Sequence, residues 1–541
     1  MSAVALRPDA ERRGGPSSGT AAMVRLHLRT SWRGLLGWPV AIAVALGGTA
    51  AGVGGLYAEA EDRAVYAATV GDSPATVAFN GAPLDLGTIG GIAAFEGGFF
   101  ALLLIPMIAV HLAIAHTRRP EEAGLAELVT AARVGRMAPL LSGAVVVGLA
   151  LALAGALTWA GMAAAGVAVE GAALYSAGVL GLTLVFAAVG LVAAELAQTA
   201  RSAYLIGVTV VSATFVARAA VDVTLLPDDV VEGLWATPMG WMSAIRPFGD
   251  PAAWPFAALL ATTAVALGAA IWVRGRRDLG AGVVAERRGP ARGDVRTVRG
   301  LAWRLLRTAA IAWVVGATVA GSAFGLLARE VRVLTESNPA LAEVIGGAAT
   351  DNLMGFGLVL VALLAAAAAA QSIGRLVQEE GAGRTGLVLA TATTRMRWWA
   401  VLASLPTGIA LVALLSGGAG LGVGAWVSDG DVASVGTALS AALWYLPALA
   451  AVVGLSAVGA TAGARSLPVG WVVVGWATAV AFLGDALDLP PWARDLSVRA
   501  HVGLVPAADG APTAAALLAA LGVGLTAVSA WRFARRDRRA G

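Results

Sequence analysis

Apolar runs of roughly twenty residues follow one another along this chain, and that is the length a helix needs to cross the hydrocarbon core of a bilayer. They fall at about 38–57, 91–115, 138–165, 172–195, 203–221 and 252–273, then at about 304–328, 353–374, 399–424, 436–460, 468–487 and 512–531. Composition leaves no soluble alternative: 58% of residues are hydrophobic, 13% are charged and the mean hydropathy is +0.77, against about 45–50% apolar and about 25% charged in ordinary globular proteins. The expected fold class is all-α, a polytopic membrane protein with about twelve transmembrane helices.

The runs group into two sets because a polar connector occurs twice. Residues 121–136 read EEAGLAELVTAARVGR and residues 379–395 read EEGAGRTGLVLATATTR. Gly124 matches Gly383, Leu128 matches Leu387, Val129 matches Val388, Ala131 matches Ala390 and Arg136 matches Arg395, all at one constant spacing. The acidic pairs Glu121/Glu122 and Glu379/Glu380 stand one residue out of that register. Weaker traces link Pro247 and Asp250 to Pro506 and Asp509, and Ala200-Arg201-Ser202 to Ala464-Arg465-Ser466. The chain is thus a tandem of two related halves with six spans in each.

The boundaries that follow are a disordered cytoplasmic tail over 1–22, a first six-helix half over 23–273 and an arginine-rich cytoplasmic linker over 274–303. A second six-helix half over 304–531 and a basic tail over 532–541 complete the chain. Ahead of the first span, MVRLHLRTSWRGLL mixes Arg25, Arg29 and Arg33 with Leu26, Trp32 and Leu35, the composition of a helix in the membrane interface. WATPMGWMSAIRPFGD and DLSVRAHVGLVPAAD read as interfacial or partly re-entrant segments, the first anchored by Trp235 and Trp241. Most arginines fall in the tails, the linker and the connectors that lie inside if both termini are cytoplasmic, which sets that orientation. The linker then reads as a solvated loop near anionic headgroups, with a regulatory or binding role as the alternative.

Several chemistries are excluded. There is no cysteine, so disulfides and thiolate sites are absent. All 38 basic residues are arginine, which removes the lysine of a phosphate-binding loop. The four histidines, His27, His111, His116 and His501, show no metal-site spacing. No nucleophile motif stands out, so the chain is not expected to be an enzyme and is expected to bind no cofactor or metal itself. Because the arginines follow membrane topology, no nucleic-acid partner is expected; the partners are the lipid bilayer and whatever the connectors meet.

In the first connector Pro120 suits the first position of a helix, Glu121 and Glu122 meet its positive end, and Arg133 and Arg136 meet its negative end. Leu125, Leu128, Val129 and Ala132 share one face. One reading is a short interfacial helix whose charges only cap it and hold the loop inside. The other is a docking element for an external motor, favoured by the duplication. Here the chain resembles a known family. Glu-Glu, then Gly-x-x-[Glu/Gly]-Leu-Val-x-Ala, then a closing Arg, between spans two and three of a six-helix unit, is similar to the connector of type-2 ABC exporter permeases. The fused twelve-span form resembles the polyketide-antibiotic (tetronasin-type) exporter permeases of actinobacteria. The resemblance implies a permease of the bacterial cytoplasmic (inner) membrane that exports hydrophobic or amphipathic compounds such as antibiotics. It also implies a separate ABC ATPase subunit, two copies per chain, carrying ATP and Mg. The coupling residues implied are Glu121, Glu122, Glu127, Arg133 and Arg136 with Glu379, Glu380, Arg395 and Arg397. Glu127 is replaced by Gly386 in the second copy, so the two docking contacts are expected to be unequal. An ion-gradient-driven secondary multidrug transporter is the alternative, since twelve spans in two halves fit it as well.

Charges within spans are costly and invite functional readings. Glu195, Arg218 and Asp222 lie near helix ends, where they are expected to reach water, and His111 reads as a hydrogen-bonded residue rather than a ligand. Glu96 sits beside Gly97 and Gly98 within the second span, and with Phe99 and Phe100 it is a candidate for the substrate path. The competing reading is a charge satisfied near the outer surface.

Overall fold

The computed structural model describes residues 15–70, 74–125, 134–224, 234–278, 280, 282–283, 295–329, 332, 349–461, 468–483, 489–498, 500–508 and 510–535. Among the described residues the fold is helical, without strands, and eleven helices are long and apolar enough to span a membrane. The sixth run of the second half forms Pro512–Arg535, whereas the fifth, read over 468–487, is described as a 16-residue helix, Pro468–Leu483. The chain divides into two compact units, Met1–Gly289 and Pro290–Gly541, with the division inside the stretch read as linker. The helix opening the second unit begins at Val298, also inside that stretch.

In the first unit, α1 (Thr20–Thr30) precedes the spans α2 (Trp32–Leu56), then α3 (Ala60–Val70), α4 (Pro74–Asn80), α5 (Ile89–Glu96), α6 (Ile105–His116) and α7 (Arg118–Glu122). Next come α8 (Ala138–Ala164), α9 (Val169–Leu196), α10 (Ala200–Thr224), α11 (Pro238–Ala244) and α12 (Trp254–Arg274). Of the arginine-bearing segment before the first span, Arg25, Leu26 and Arg29 belong to a separate helix, α1, which is broken from α2 at Ser31 and packed on α2 and α8, whereas Trp32, Arg33 and Leu35 belong to α2 itself. Between α5 and α6 the chain makes a π-helical turn, Phe100–Leu104, so the second span is continuous but wider there. Thr88 and Thr237 start α5 and α11 as side-chain caps, accepting from the N–H of Gly91 and Gly240. The tryptophan-bearing segment is the short helix α11, with Trp241 donating to the Trp235 carbonyl at 2.9 Å and Trp235 stacked on Trp254 at 3.5 Å.

The second unit comprises α13 (Val298–Leu326), α14 (Ala349–Gly381), α15 (Arg384–Leu389), α16 (Arg395–Asp429), α17 (Ala433–Leu443), α18 (Leu446–Thr461), α19 (Pro468–Leu483), α20 (Pro491–Asp495) and α21 (Pro512–Arg535). Both units pack the same way: the first span on the third (α2 on α8, α13 on α16), the second on the fourth (α6 on α9, α14 on α18) and the fourth on the sixth (α9 on α12, α18 on α21). The repeat read from short sequence matches is therefore a repeat of packing. Lipid offers no hydrophobic drive between helices, so close backbone approach matters more. The seam of α13 and α16 shows it: a Cβ at Gly321 would lie 2.1 Å from the Gly417 carbonyl oxygen, and one at Gly325 would lie 2.1 Å from that of Leu421.

Two expectations about charges near span ends are corrected. Arg218 and Asp222 do not reach water; each is 1% exposed, and they pair at 2.8 Å one helical turn apart. Arg218 also donates to the carbonyls of Val77 and Ala78 at the end of α4. Glu195, at the end of α9, is likewise 1% exposed. A charge removed from water needs a partner fixed beside it, and each of these has one.

Candidate functional site

The end of the first unit where α7, α9 and α12 meet is built from charge. Glu121 is buried, and its carboxylate accepts from Arg274 at 2.9 Å, from both terminal nitrogens of Arg277 at 2.7 and 2.8 Å, and from the Gly280 N–H at 2.8 Å. Arg277 also donates from Nε to Glu195 at 2.5 Å, and Arg274 stands 3.7 Å from Glu195. Arg118 lies 3.5 Å from Glu121 and donates to the Gln198 and Gly280 carbonyls. Burial alone would lower the Arg277 pKa, but Glu121 and Glu195 hold it above the ordinary arginine range. Arginine suits this work because its planar fork serves two carboxylates at once.

Other bonds fix the ends of the first connector. Glu122 is exposed, yet one of its oxygens accepts from the Ala200 N–H at 2.8 Å, at the start of α10. Arg136 is exposed and donates to the carbonyls of Arg274 and Gly275 at 3.0 and 2.7 Å, while Arg274 donates back to the Arg136 carbonyl at 3.0 Å. The connector is thus tied at both ends to the last turn of span six. Glu127 and Arg133 lie outside the described residues, as does the Ala464-Arg465-Ser466 trace.

The second connector is held differently. Glu379 is buried and accepts from Arg384 Nε at 2.5 Å, with Arg375 at 3.5 Å, and both arginine side chains are more than half or half exposed. Both arginines belong to the connector and the helix that leads into it. Glu380 is half-buried, Arg395 is half-buried and Arg397 is exposed, its N–H donating to the Thr394 cap. The short helix α15 presents Leu387, 74% exposed, and in the first connector Leu125 is 54% exposed.

Sequence reasoning missed Arg118, Glu195, Arg274 and Arg277 as members of one cluster. The available signal was an acidic residue closing span four and arginines closing span six of the same half.

The candidate substrate-path residues come together only in part. Glu96 closes α5, and its carboxylate accepts from the Tyr66 hydroxyl of α3, a helix of the segment between spans one and two. Phe99 packs against Phe79, Phe100 and Phe215, and Phe100 is 38% exposed. His111 is hydrogen-bonded to Tyr204 at 3.0 Å. No group of three or more His, Cys, Asp or Glu suited to a metal occurs among the described residues.

Two packed bundles of apolar helices, repeated in sequence and in packing and each interrupted after its second span by a polar connector, define a multi-pass membrane protein. The chain is 32% identical to the multidrug efflux system permease protein Rv1217c of Mycobacterium tuberculosis (strain ATCC 25618 / H37Rv), over 98% of this chain and 97% of that protein. Residues 295–534 match the family model described as multidrug efflux system permease Rv1217c, C-terminal domain. The chain belongs to the family of that permease.

Proposed function

We propose that the chain is the permease subunit of an ATP-driven exporter that moves bulky hydrophobic or amphipathic compounds, antibiotics among them, out of the cell. A separate ABC ATPase, two copies per chain, supplies ATP hydrolysis and docks on the two connectors from the cytosol, where both termini also lie. The observation that carries this reading is the recurrence, after the second span of both halves, of a connector that holds the first acid of its pair, Glu121 or Glu379, against arginines; each connector also exposes a leucine, Leu125 in the first and, at a different position of the repeat, Leu387 in the second. The name of the Rv1217c relative, an efflux system permease, supports it.

The two connectors then work unequally. A push on the first passes directly to spans four and six through Glu121, Glu195 and Arg274. A push on the second acts first on span two, because Glu379 is bonded within its own connector and the end of α14.

Co-expression with any ATPase encoded beside this chain tests the docking. Leu125→Asp combined with Leu387→Asp is expected to reduce the co-purified ATPase at least tenfold, an expectation based on the loss of central apolar anchors, while the chain stays in the membrane. Undiminished co-purification by the double variant would remove the docking claim. Drug transport by the purified chain in liposomes, driven by an ion gradient alone, would instead establish the secondary-transporter alternative.

A further inference from the structure

At the end of the first unit opposite the ion cluster, the loop before α5, the segment after α11 and the first turns of α9 line a small cleft. Its walls are chemically divided. Phe95, Leu102 and Phe248 supply apolar surface, while Asp85, Arg246 and Tyr175 supply polar groups. Phe248 is held firmly, since its ring fills the space beside Gly90 and Gly171 and a Cβ at either would come within 2.3 and 2.6 Å of it.

Three observations in this cleft need a common explanation. Tyr175 is 4% exposed, and its hydroxyl has no hydrogen-bond partner among the described residues. A buried hydroxyl without a partner is disfavoured, and such groups are rare in native structures. Arg246 binds Asp85 through Nη2 at 3.1 Å, but its Nε is buried and likewise without a partner. Asp85 and Arg246 are also, among the described residues, the non-glycine residues with positive φ, at 58° and 49°. Left-handed backbone is unfavourable for an arginine and concentrates at ligand clamps. Here the two such residues face one another in an ion pair, so the strained backbone on both sides sets the position of one guanidinium.

We propose that this cleft is a ligand site of the first half that takes the head of an amphipathic molecule bearing an accepting oxygen, a carboxylate or carbonyl. Tyr175 Oη–H and Arg246 Nε–H donate to that oxygen, Asp85 keeps the guanidinium aligned, and Phe95, Leu102 and Phe248 face the apolar body. The neutral Asp85–Arg246 pair leaves no surplus negative charge to repel an anionic head. The same chemistry is carried by a free amphipathic acid and by an anionic lipid. The site concerns residues of the first unit alone and does not depend on what drives transport.

The full chain in phosphatidylcholine nanodiscs, titrated with octanoate and followed by saturation-transfer NMR against empty nanodiscs, tests this. Saturable binding is expected, weakened at least fivefold by Tyr175→Phe and by Arg246→Gln and not displaced by octylammonium, whose head only donates. Tyr175→Phe removes one unpartnered oxygen and is expected to leave the thermal midpoint unchanged or raised, so lost binding would not reflect unfolding. In phosphatidylglycerol nanodiscs, weaker octanoate binding by the wild type would identify lipid as the competing occupant, and unchanged binding would identify a free amphipath. Absence of saturable octanoate binding in both lipids, equal binding by both variants, or full displacement by octylammonium would overturn the proposal.

Discussion

Replacing Glu121 by alanine is expected to lower the thermal midpoint of the purified chain by on the order of 10 °C, whereas the same change at Glu379, its counterpart in the repeat, will move it little. The sequence treats the two as equivalent, and the structure does not. Glu121 is surrounded by three arginines whose side chains are 3% exposed or less, and it also accepts from the Gly280 N–H. Removing it leaves those cations with Glu195 as the remaining carboxylate of the cluster. Breaking a buried ion pair on one side costs about 3–5 kcal/mol, because the orphaned charge stays out of water. A domain of this size loses about 2–4 °C for each kcal/mol. Glu379 faces Arg375 and Arg384, whose side chains are 50% and 58% exposed, and water takes over when the carboxylate is lost. Tryptophan fluorescence during heating reads both variants. Equal shifts at the two positions would show that burial does not distinguish the connectors.

This contrast marks how far the sequence reaches. The helical fold, the positions of most spans and the two halves are legible because each depends on local runs or on matches at a constant spacing. Glu121 and Glu122 could be singled out the same way. Their partners could not, because Arg274 and Arg277 lie 153 and 156 residues further along the chain and read as the start of a solvated linker. Glu195, Arg218 and Asp222 were placed correctly near helix ends but were expected to reach water, since nothing local tells which face of a span meets another helix. For Glu96 the sequence left two readings open, and the hydrogen bond from Tyr66 now attaches it to the segment between spans one and two. The cleft with Tyr175 was invisible for a further reason: its polar groups come from three separated stretches, and backbone φ has no signature at Asp85 or Arg246.

Glycine carried the least information in the sequence and carries much of the packing in the structure. The run SGGAGLGVG lies in the third span of the second half. In the fold Gly417, Gly420 and Gly424 of this run lie against α13 around Gly321 and Gly325, so that the two backbones touch, while Gly418 and Gly422 lie against α17. Gly321→Ala is therefore expected to destabilise the second half by about 1–3 kcal/mol or more, although alanine favours a helix over glycine by about 0.5–1 kcal/mol. The added methyl would sit 2.1 Å from a backbone carbonyl oxygen, and a backbone atom within a helix cannot turn aside as a side chain could. The helices must separate, and contacts along the whole seam weaken together. Gly316→Ala in the same helix is the matched control, because a Cβ there meets nothing within 4 Å. It is expected to leave the midpoint unchanged or raise it slightly. Membrane yield and thermal midpoint of the two single variants, measured side by side, give the comparison: a fall at Gly321 with none at Gly316 is the expected result. Equal behaviour of the two variants would mean that α13 and α16 do not meet through their glycines, and the shared packing of first span on third would then rest on the first half alone.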